Sequence, residues 1–171
     1  MFRSVVEAVF SYSQTQPEKL CLADEARAVT YSQYKEEICR IAAALKDMGI
    51  VKGDRIVIEA SQTIEFLASQ LAMQLIGAIF VPIERNCAWD KTARIVASAE
   101  AVLAITLKKP EDTDGIKHLT MAELSDLASK SEALGVEYPL GDLGFVEKEE
   151  TDRIISIRDG NIVSEVVKRD V

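Results

Sequence analysis

The sequence has 171 residues, of which 48% are hydrophobic, and its 28 acidic and 20 basic residues give a formal net charge of −8. This length and apolar content suit one buried core, and the negative charge excludes nucleic acid and anionic membrane surfaces as partners because it repels them. The longest apolar stretch, residues 66–83, is interrupted by polar residues and by Pro82, so it cannot cross a membrane, and a cytoplasmic protein is expected.

The first elements are short. Residues 2–14 place apolar side chains at helical spacing and predict an amphipathic helix, which Pro17 closes. Two brief apolar runs, residues 20–23 and 28–30, flank a polar turn and predict a pair of hairpin strands.

Helices and strands alternate through the middle of the chain. Thr30 and Gln33 have the spacing of a capping box, and they precede a long amphipathic pattern that Gly49 ends. Strands that alternate with helices favour a parallel sheet covered on both faces. We therefore predict a three-layer α/β unit with strands at residues 55–60, 79–83 and 101–106 and helices at residues 63–77 and 90–99.

The pattern weakens after residue 106. Residues 108–115 are polar and rich in turn formers, and Thr120 with Glu123 forms a second capping box that predicts a short helix. Residues 129–151 are predicted to be mostly loop.

Two β-rich runs close the sequence. Residues 153–158 and 162–167 are joined through Asp159 and Gly160, and an Asp-Gly step between β-branched runs predicts a β-hairpin. We therefore divide the chain into a unit at residues 1–145 and a tail at residues 146–171 that carries the hairpin.

Several features of residues 20–106 occur in an order that resembles the start of the AMP-forming acyl-CoA synthetases, peptide-synthetase adenylation domains and luciferases. The resemblance covers about half of the chain, and its parts are fold motifs without chemistry of their own. They are Ala28 to Tyr31 before the long helix, Gly49 to Ile58, Glu65 in the next helix, Gly77 to Pro82, and the strand near Val102 to Thr106.

The resemblance implies an enzyme that activates a carboxylic acid with ATP and Mg²⁺ and passes the acyl group to a thiol, usually CoA. It also implies a Ser/Thr/Gly-rich phosphate loop ending in Lys. Residues 154–167 contain a single glycine, Gly160, which follows Asp159. They contain no lysine, and the first lysine after them is Lys168. An acidic turn repels polyphosphate. We expect a ligase fragment that is not competent alone, with no catalytic, cofactor-binding or metal residue and no cofactor of its own.

The tail also resembles a second family. Residues 152–163 are similar to the terminal hairpin of ABC-transporter ATP-binding subunits. The Walker motifs of such a subunit are absent from the sequence, so this resemblance implies no ATPase activity.

A few residues invite a functional interpretation. His118 is predicted to lie in a surface connection, and Cys87 beside Trp89 follows a strand end, where α/β folds place ligands, although a buried Trp anchor explains the same residues. The last candidates are Ser61 to Thr63, as an anion site or a helix cap, residues 147–150, as a solvated linker, and Cys21, Cys39 and Cys87, as reduced thiols.

Two functions remain open at this point. The first is the N-terminal subdomain of an AMP-forming acid ligase, which needs the remainder of the enzyme. The second is a non-enzymatic interaction module derived from that fold. In either case a homodimer is possible, through a sheet edge or through the tail hairpin, since a two-stranded ribbon is marginal until it packs.

Overall fold

The computed structural model describes Phe2, residues 4–135 and the backbone of two strands in the tail. The predicted linker at residues 147–150, the proposed boundary at residue 145 and the turn at Asp159 and Gly160 lie outside the described residues. The elements are α1 (Val5–Thr15), β1 (Leu20–Ala23), β2 (Ala28–Thr30), α2 (Tyr31–Asp47), β3 (Arg55–Glu59), α3 (Ile64–Ile76), β4 (Ile79–Ile83), α4 (Trp89–Ser98), β5 (Leu103–Thr106), β6 (His118–Thr120), α5 (Met121–Lys130), β7 (Arg153–Arg158) and β8 (Asn161–Val167).

Helix ends follow the predicted local chemistry. The Thr30 side chain accepts from the Gln33 amide while the Gln33 side chain accepts from the Thr30 amide, which confirms the capping box of α2. Thr120 and Glu123 form the same reciprocal pair at α5. At the end of α3, Gly77 takes the left-handed conformation with φ of 75°, where a residue without Cβ avoids strain.

The central sheet has four parallel strands in the order β4-β3-β5-β6. Ile56 of β3 pairs with Phe80 of β4 on one side and with Leu103 of β5 on the other, which confirms the predicted parallel sheet. The chain moves outward from β3 to β4 and then returns to the opposite side of β3. The β1–β2 and β7–β8 pairs are antiparallel hairpins, as predicted.

Helices cover the two faces of this sheet unequally. We call the side packed by α1, α2, α3 and α5 the broad face, and its core includes Ile56, Ile58, Leu103 and Ile105. The other side, the narrow face, is packed by α4 against a small core of five buried residues. These are Val57, Ile83, Ile95, Val96 and Ala104. Because successive residues of a strand point to opposite faces, both cores grow from the same strands.

Strand β4 forms one edge of the sheet in the described part of the chain. The Ile79 amide donates to Asp54, and Ile83 accepts from the Ala60 amide, so these residues of β4 bond toward β3. Bonding direction alternates along a parallel strand, which makes Pro82 face away from β3. Its missing N–H therefore removes no hydrogen bond from the sheet.

The structure adds β6 to the predicted elements. This strand has three residues and pairs with β5 after a connection without a helix, so neither its length nor its surroundings signalled a strand. Among the helices of the described residues, none has both the length and the apolar character needed to cross a membrane.

Candidate functional site

The carboxyl edge of the parallel sheet is the place to look for a site. In open α/β sheets ligands bind outside the carboxyl ends of the strands, where the chain reverses its direction of winding. Here that reversal lies between β3, which ends at Glu59, and β5, which ends at Thr106.

A buried carboxylate occupies this position. Glu59 is 5% exposed. One of its oxygens accepts from the Asn86 amide at 2.6 Å and the other accepts from the Leu107 amide at 2.8 Å. The central strand thereby holds the loops that follow both of its neighbours. Sequence reasoning missed Glu59, although a charged residue at the end of a β-branched strand was the available signal.

The loop after β3 is occupied by helix caps. The Thr63 hydroxyl accepts from the Phe66 amide at 3.3 Å and lies 3.0 Å from the Ser61 hydroxyl. The first amide of α3, from Ile64, donates to the Asp24 carboxylate at 2.9 Å. The helix-cap interpretation of Ser61 to Thr63 therefore describes the geometry, and these groups do not converge on an open anion site.

The Cys87 and Trp89 segment anchors the loop after β4. Trp89 is the first residue of α4, and both side chains pack partly buried against the narrow-face core. Within the described residues, the buried indole Nε1 of Trp89 has no hydrogen-bond partner. This geometry matches the alternative of a buried Trp anchor.

The prediction that His118 lies in a surface connection is wrong. His118 begins β6, is partly buried, and its Nε2 lies 2.7 Å from the Thr106 hydroxyl. That hydroxyl donates its proton to the Lys108 carbonyl at 2.6 Å, so the imidazole nitrogen is the donor to Thr106. His118 therefore cannot act as a base toward Thr106. His118 lies in a strand because residues 118–120 pair with β5, a long-range contact that the local sequence does not display.

A charged cleft lies on the broad face. Arg27, in the turn of the first hairpin, pairs with Glu37 of α2 and Glu65 of α3, each at 2.7 Å. These bonds raise the pKa of Arg27, with the Glu37 hydrogen bond as the largest cause. The cleft beside them has a volume of about 300 Å³ and reaches Ser125 and Ser129 of α5. The charges of Arg27, Glu37 and Glu65 pair with one another, so they connect the first hairpin to α2 and α3.

Two of the three thiols, those of Cys21 and Cys39, are weakly reactive. All three cysteines are free, as expected for reduced residues. Burial raises the pKa of the Cys39 thiol to about 11 and also raises that of Cys21, so both stay protonated at neutral pH and are weak nucleophiles. The described residues contain no group of three or more potential metal ligands.

Four backbone amides at this edge already donate to side chains. The Ile64 amide donates to Asp24, the Phe66 amide to Thr63, and the Asn86 and Leu107 amides to Glu59.

Comparison with known proteins gives one family. A model described as "AMP-binding enzyme" matches residues 9–158, and this range includes β7. The first half of the segment that resembles a transporter hairpin therefore lies inside the AMP-binding match.

Curated relatives belong to several kinds of synthetase. The chain is 32% identical over 111 residues to the nonribosomal peptide synthetase tcpP of Claviceps purpurea, which covers 65% of this chain and 5% of that protein. It is 37% identical over 83 residues to acetyl-coenzyme A synthetase of Drosophila melanogaster, covering 48% of this chain and 12% of that enzyme. The chain thus spans a small part of the length of these relatives.

Solved structures share the fold. The N-terminal subdomain of Klebsiella oxytoca NpsA, in complex with 3-hydroxybenzoyl-AMSN, superposes with a TM-score of 0.66 at 24% identity. The match covers 81% of this chain and 35% of that one. A fatty acyl-adenylate ligase from L. pneumophila gives a TM-score of 0.62 at 22% identity, covering 80% of this chain and 26% of that ligase.

Proposed function

Because the chain belongs to the AMP-binding enzyme family, we propose that it forms the first structural subdomain of an enzyme that activates a carboxylic acid as an acyl-adenylate. The observation that carries this proposal is the match over residues 9–158, together with a fold shared with an N-terminal subdomain. The complete enzyme would use ATP and Mg²⁺ and transfer the acyl group to a thiol. The residues of this chain would provide a rigid wall and would not bind the nucleotide themselves.

The geometry of the carboxyl edge supports a structural role. Glu59 accepts from the Asn86 and Leu107 amides and Asp24 accepts from the Ile64 amide, so these carboxylates are already engaged in backbone contacts. Their contribution is to fix the loops after β3, β4 and β5 relative to one another.

Two measurements test this proposal. Isothermal calorimetry of the 171-residue chain with MgATP should give no saturation below the millimolar range. ATP–pyrophosphate exchange with a panel of carboxylic acids should stay at background. Saturable micromolar binding, or acid-dependent exchange by this chain alone, would refute the idea that its role is structural.

A chimera tests the positive half of the proposal. Residues 20–106 of this chain would replace the matching segment of the Drosophila acetyl-coenzyme A synthetase, to which the chain is 37% identical over 83 residues. A chimera that folds and retains acetate-dependent exchange supports a structural role for residues 20–106, which one member can then supply for another. A chimera that folds by circular dichroism but loses exchange completely contradicts it, and a Glu59→Gln version identifies whether the Glu59 contacts matter.

The second candidate is an interaction module that forms a homodimer through its tail. The observation that favours it is the β7–β8 pair, which forms its own two-stranded sheet separate from the four parallel strands. Two strands alone are marginally stable, so a partner would stabilise them. Sedimentation at several concentrations should then show a dimer, which Ile155→Lys with Ile157→Lys dissociates. A monomer up to about 100 μM, far above the micromolar Kd of a modest interface, rules this candidate out.

A further inference from the structure

The single histidine and the single tryptophan of this chain are in contact. The rings of Trp89 and His118 lie 5.4 Å apart between centroids, at an angle of 89°. Trp89 starts α4, and His118 starts the edge strand β6. This contact therefore joins the helix of the narrow face to the outermost strand of the sheet.

The protonation state of His118 at neutral pH follows from its hydrogen bond. The Thr106 hydroxyl gives its proton to the Lys108 carbonyl, so it accepts from a protonated Nε2 of His118. In the neutral ring the other nitrogen, Nδ1, then carries the lone pair. An added proton must go to Nδ1, and the bond to Thr106 survives this step.

We propose that His118 is a pH-sensitive contact that controls the edge strand β6. In the closed state the neutral ring holds β6 against β5 and α4, and in the open state the charged ring has moved away together with β6. The charged ring would sit partly buried between the Trp89 indole, the Thr106 hydroxyl and the sheet. Strand β6 is the weakest neighbour, because it has three residues and pairs only with β5 in the described part of the chain. Moving β6 outward hydrates the imidazolium while the other strands stay paired.

The groups around the ring act in opposite directions. Burial lowers the pKa of His118, the Glu123 carboxylate of α5 raises it, and the Lys109 ammonium in the loop after β5 lowers it. The element α4 presents the uncharged indole, and β5 presents the uncharged hydroxyl of Thr106. Burial is the largest of these effects, so the neutral form is favoured in the closed arrangement.

The direction of the pH dependence follows from linkage. A histidine whose pKa is lower in the closed state than its ordinary 6.5 binds fewer protons there than in the open state. Closure is therefore fully favoured above pH 6.5 and weakens as the pH falls from 6.5 toward the lower closed-state pKa. Each unit between the two pKa values increases the opening equilibrium by about tenfold.

The indole of Trp89 gives a direct readout, since a protonated imidazole in contact with an indole quenches its fluorescence. Emission from Trp89 should change between pH 8 and pH 5 as a one-proton transition with a midpoint below 6.5. His118→Gln is the matched control, because its amide nitrogen can still donate to Thr106 but cannot titrate. Its emission should be flat over the same range.

Amide hydrogen exchange by NMR tests the release of the strand. The Ala104 amide donates to the Lys117 carbonyl across the β5–β6 pair, and the Ile79 amide donates to Asp54 beside the β3–β4 pair. Lowering the pH should reduce protection at Ala104, after correction for intrinsic exchange, and leave Ile79 unchanged. Trp89→Phe should keep this response while removing the fluorescence signal.

Three results would overturn the proposal. The first is a flat emission profile in the wild-type chain between pH 8 and pH 5. The second is the same profile in His118→Gln as in the wild type. The third is a histidine titration, followed by NMR, that leaves protection at Ala104 unchanged.

Discussion

The two faces of the parallel sheet differ in how much they bury. On the broad face, Phe10, Ile38, Leu45 and Ile58 have no exposed surface and lie within one continuous core. On the narrow face, α4 is the one helix of the described residues that packs on the strands, and Val81 and Trp89 remain partly exposed. Burial of apolar area is the main stabilising contribution to folding, so the broad face should determine global stability. The narrow face is where local opening is expected.

The largest expected effect comes from truncating one isoleucine on each face. Ile38→Ala in α2 removes a fully buried side chain from the broad-face core and should cost about 4 kcal/mol of unfolding free energy. Ile95→Ala in α4 removes the same atoms from a residue that is 5% exposed, and should cost about 2 kcal/mol because the narrow face can collapse around the gap. Urea denaturation of both variants measures the difference. Equal costs would show that the two faces are equivalent.

A buried carboxylate should partly compensate for the sparse packing of the narrow face. Glu59→Gln replaces an oxygen that accepts from a backbone amide with an NH₂ group, so one buried donor loses its partner. The expected cost is about 2 kcal/mol. Glu84→Gln is the matched control, since Glu84 is exposed and its carboxylate pairs with Lys91 at the surface, and it should change stability by less than about 0.5 kcal/mol. If both variants behave alike, Glu59 does not hold the loops.

A smaller effect is expected where α5 meets β6. Thr120→Ala removes the oxygen that accepts from the Glu123 amide and should cost about 1 kcal/mol, the typical value for a helix N-cap. Ser129→Ala, which removes an exposed hydroxyl near the other end of α5, should be close to neutral. Thermal unfolding of the two variants compares them. A larger loss for Ser129→Ala would contradict the assignment of Thr120 as the cap.

The smallest effect is a contribution of Asp24 to acid stability. Hydrogen bonds from the backbone, led by the Ile64 amide, lower the pKa of Asp24 below 3.8. Its contribution is therefore present above pH 3.8 and disappears as the pH falls through the lower folded-state value. Asp24→Asn should unfold with a weaker pH dependence than the wild type in this acid range, as measured by acid unfolding followed by circular dichroism. Identical profiles for the wild type and Asp24→Asn would reject this prediction.

Sequence patterns predicted the broad face well because its elements are long and periodic. The repeat along α2, the capping box at Thr30 and the glycine stop at Gly77 each have a local cause that needs no tertiary contact. The family was also predicted, since ordered fold motifs carry it.

The carboxyl edge was harder to predict because its contacts join distant residues. Glu59 reaches the Leu107 amide, and Arg27 reaches Glu65, across separations that no local pattern encodes. His118 looked exposed because it follows a polar connection, yet it forms a strand through pairing with β5. Long-range hydrogen bonds decide these positions, and a single sequence does not display them.

The proline at the outer edge of β4 affects how copies of this chain meet during synthesis and folding. An open strand edge invites a strand from another molecule, and repeated pairing of this kind leads to aggregates. At Pro82 the position that would donate a hydrogen bond to such a strand has no N–H, so an incoming strand would find an interrupted template. The ring of Pro82 thus protects the β4 edge of the four-stranded sheet against open-ended stacking, and it removes no hydrogen bond from the pairing with β3.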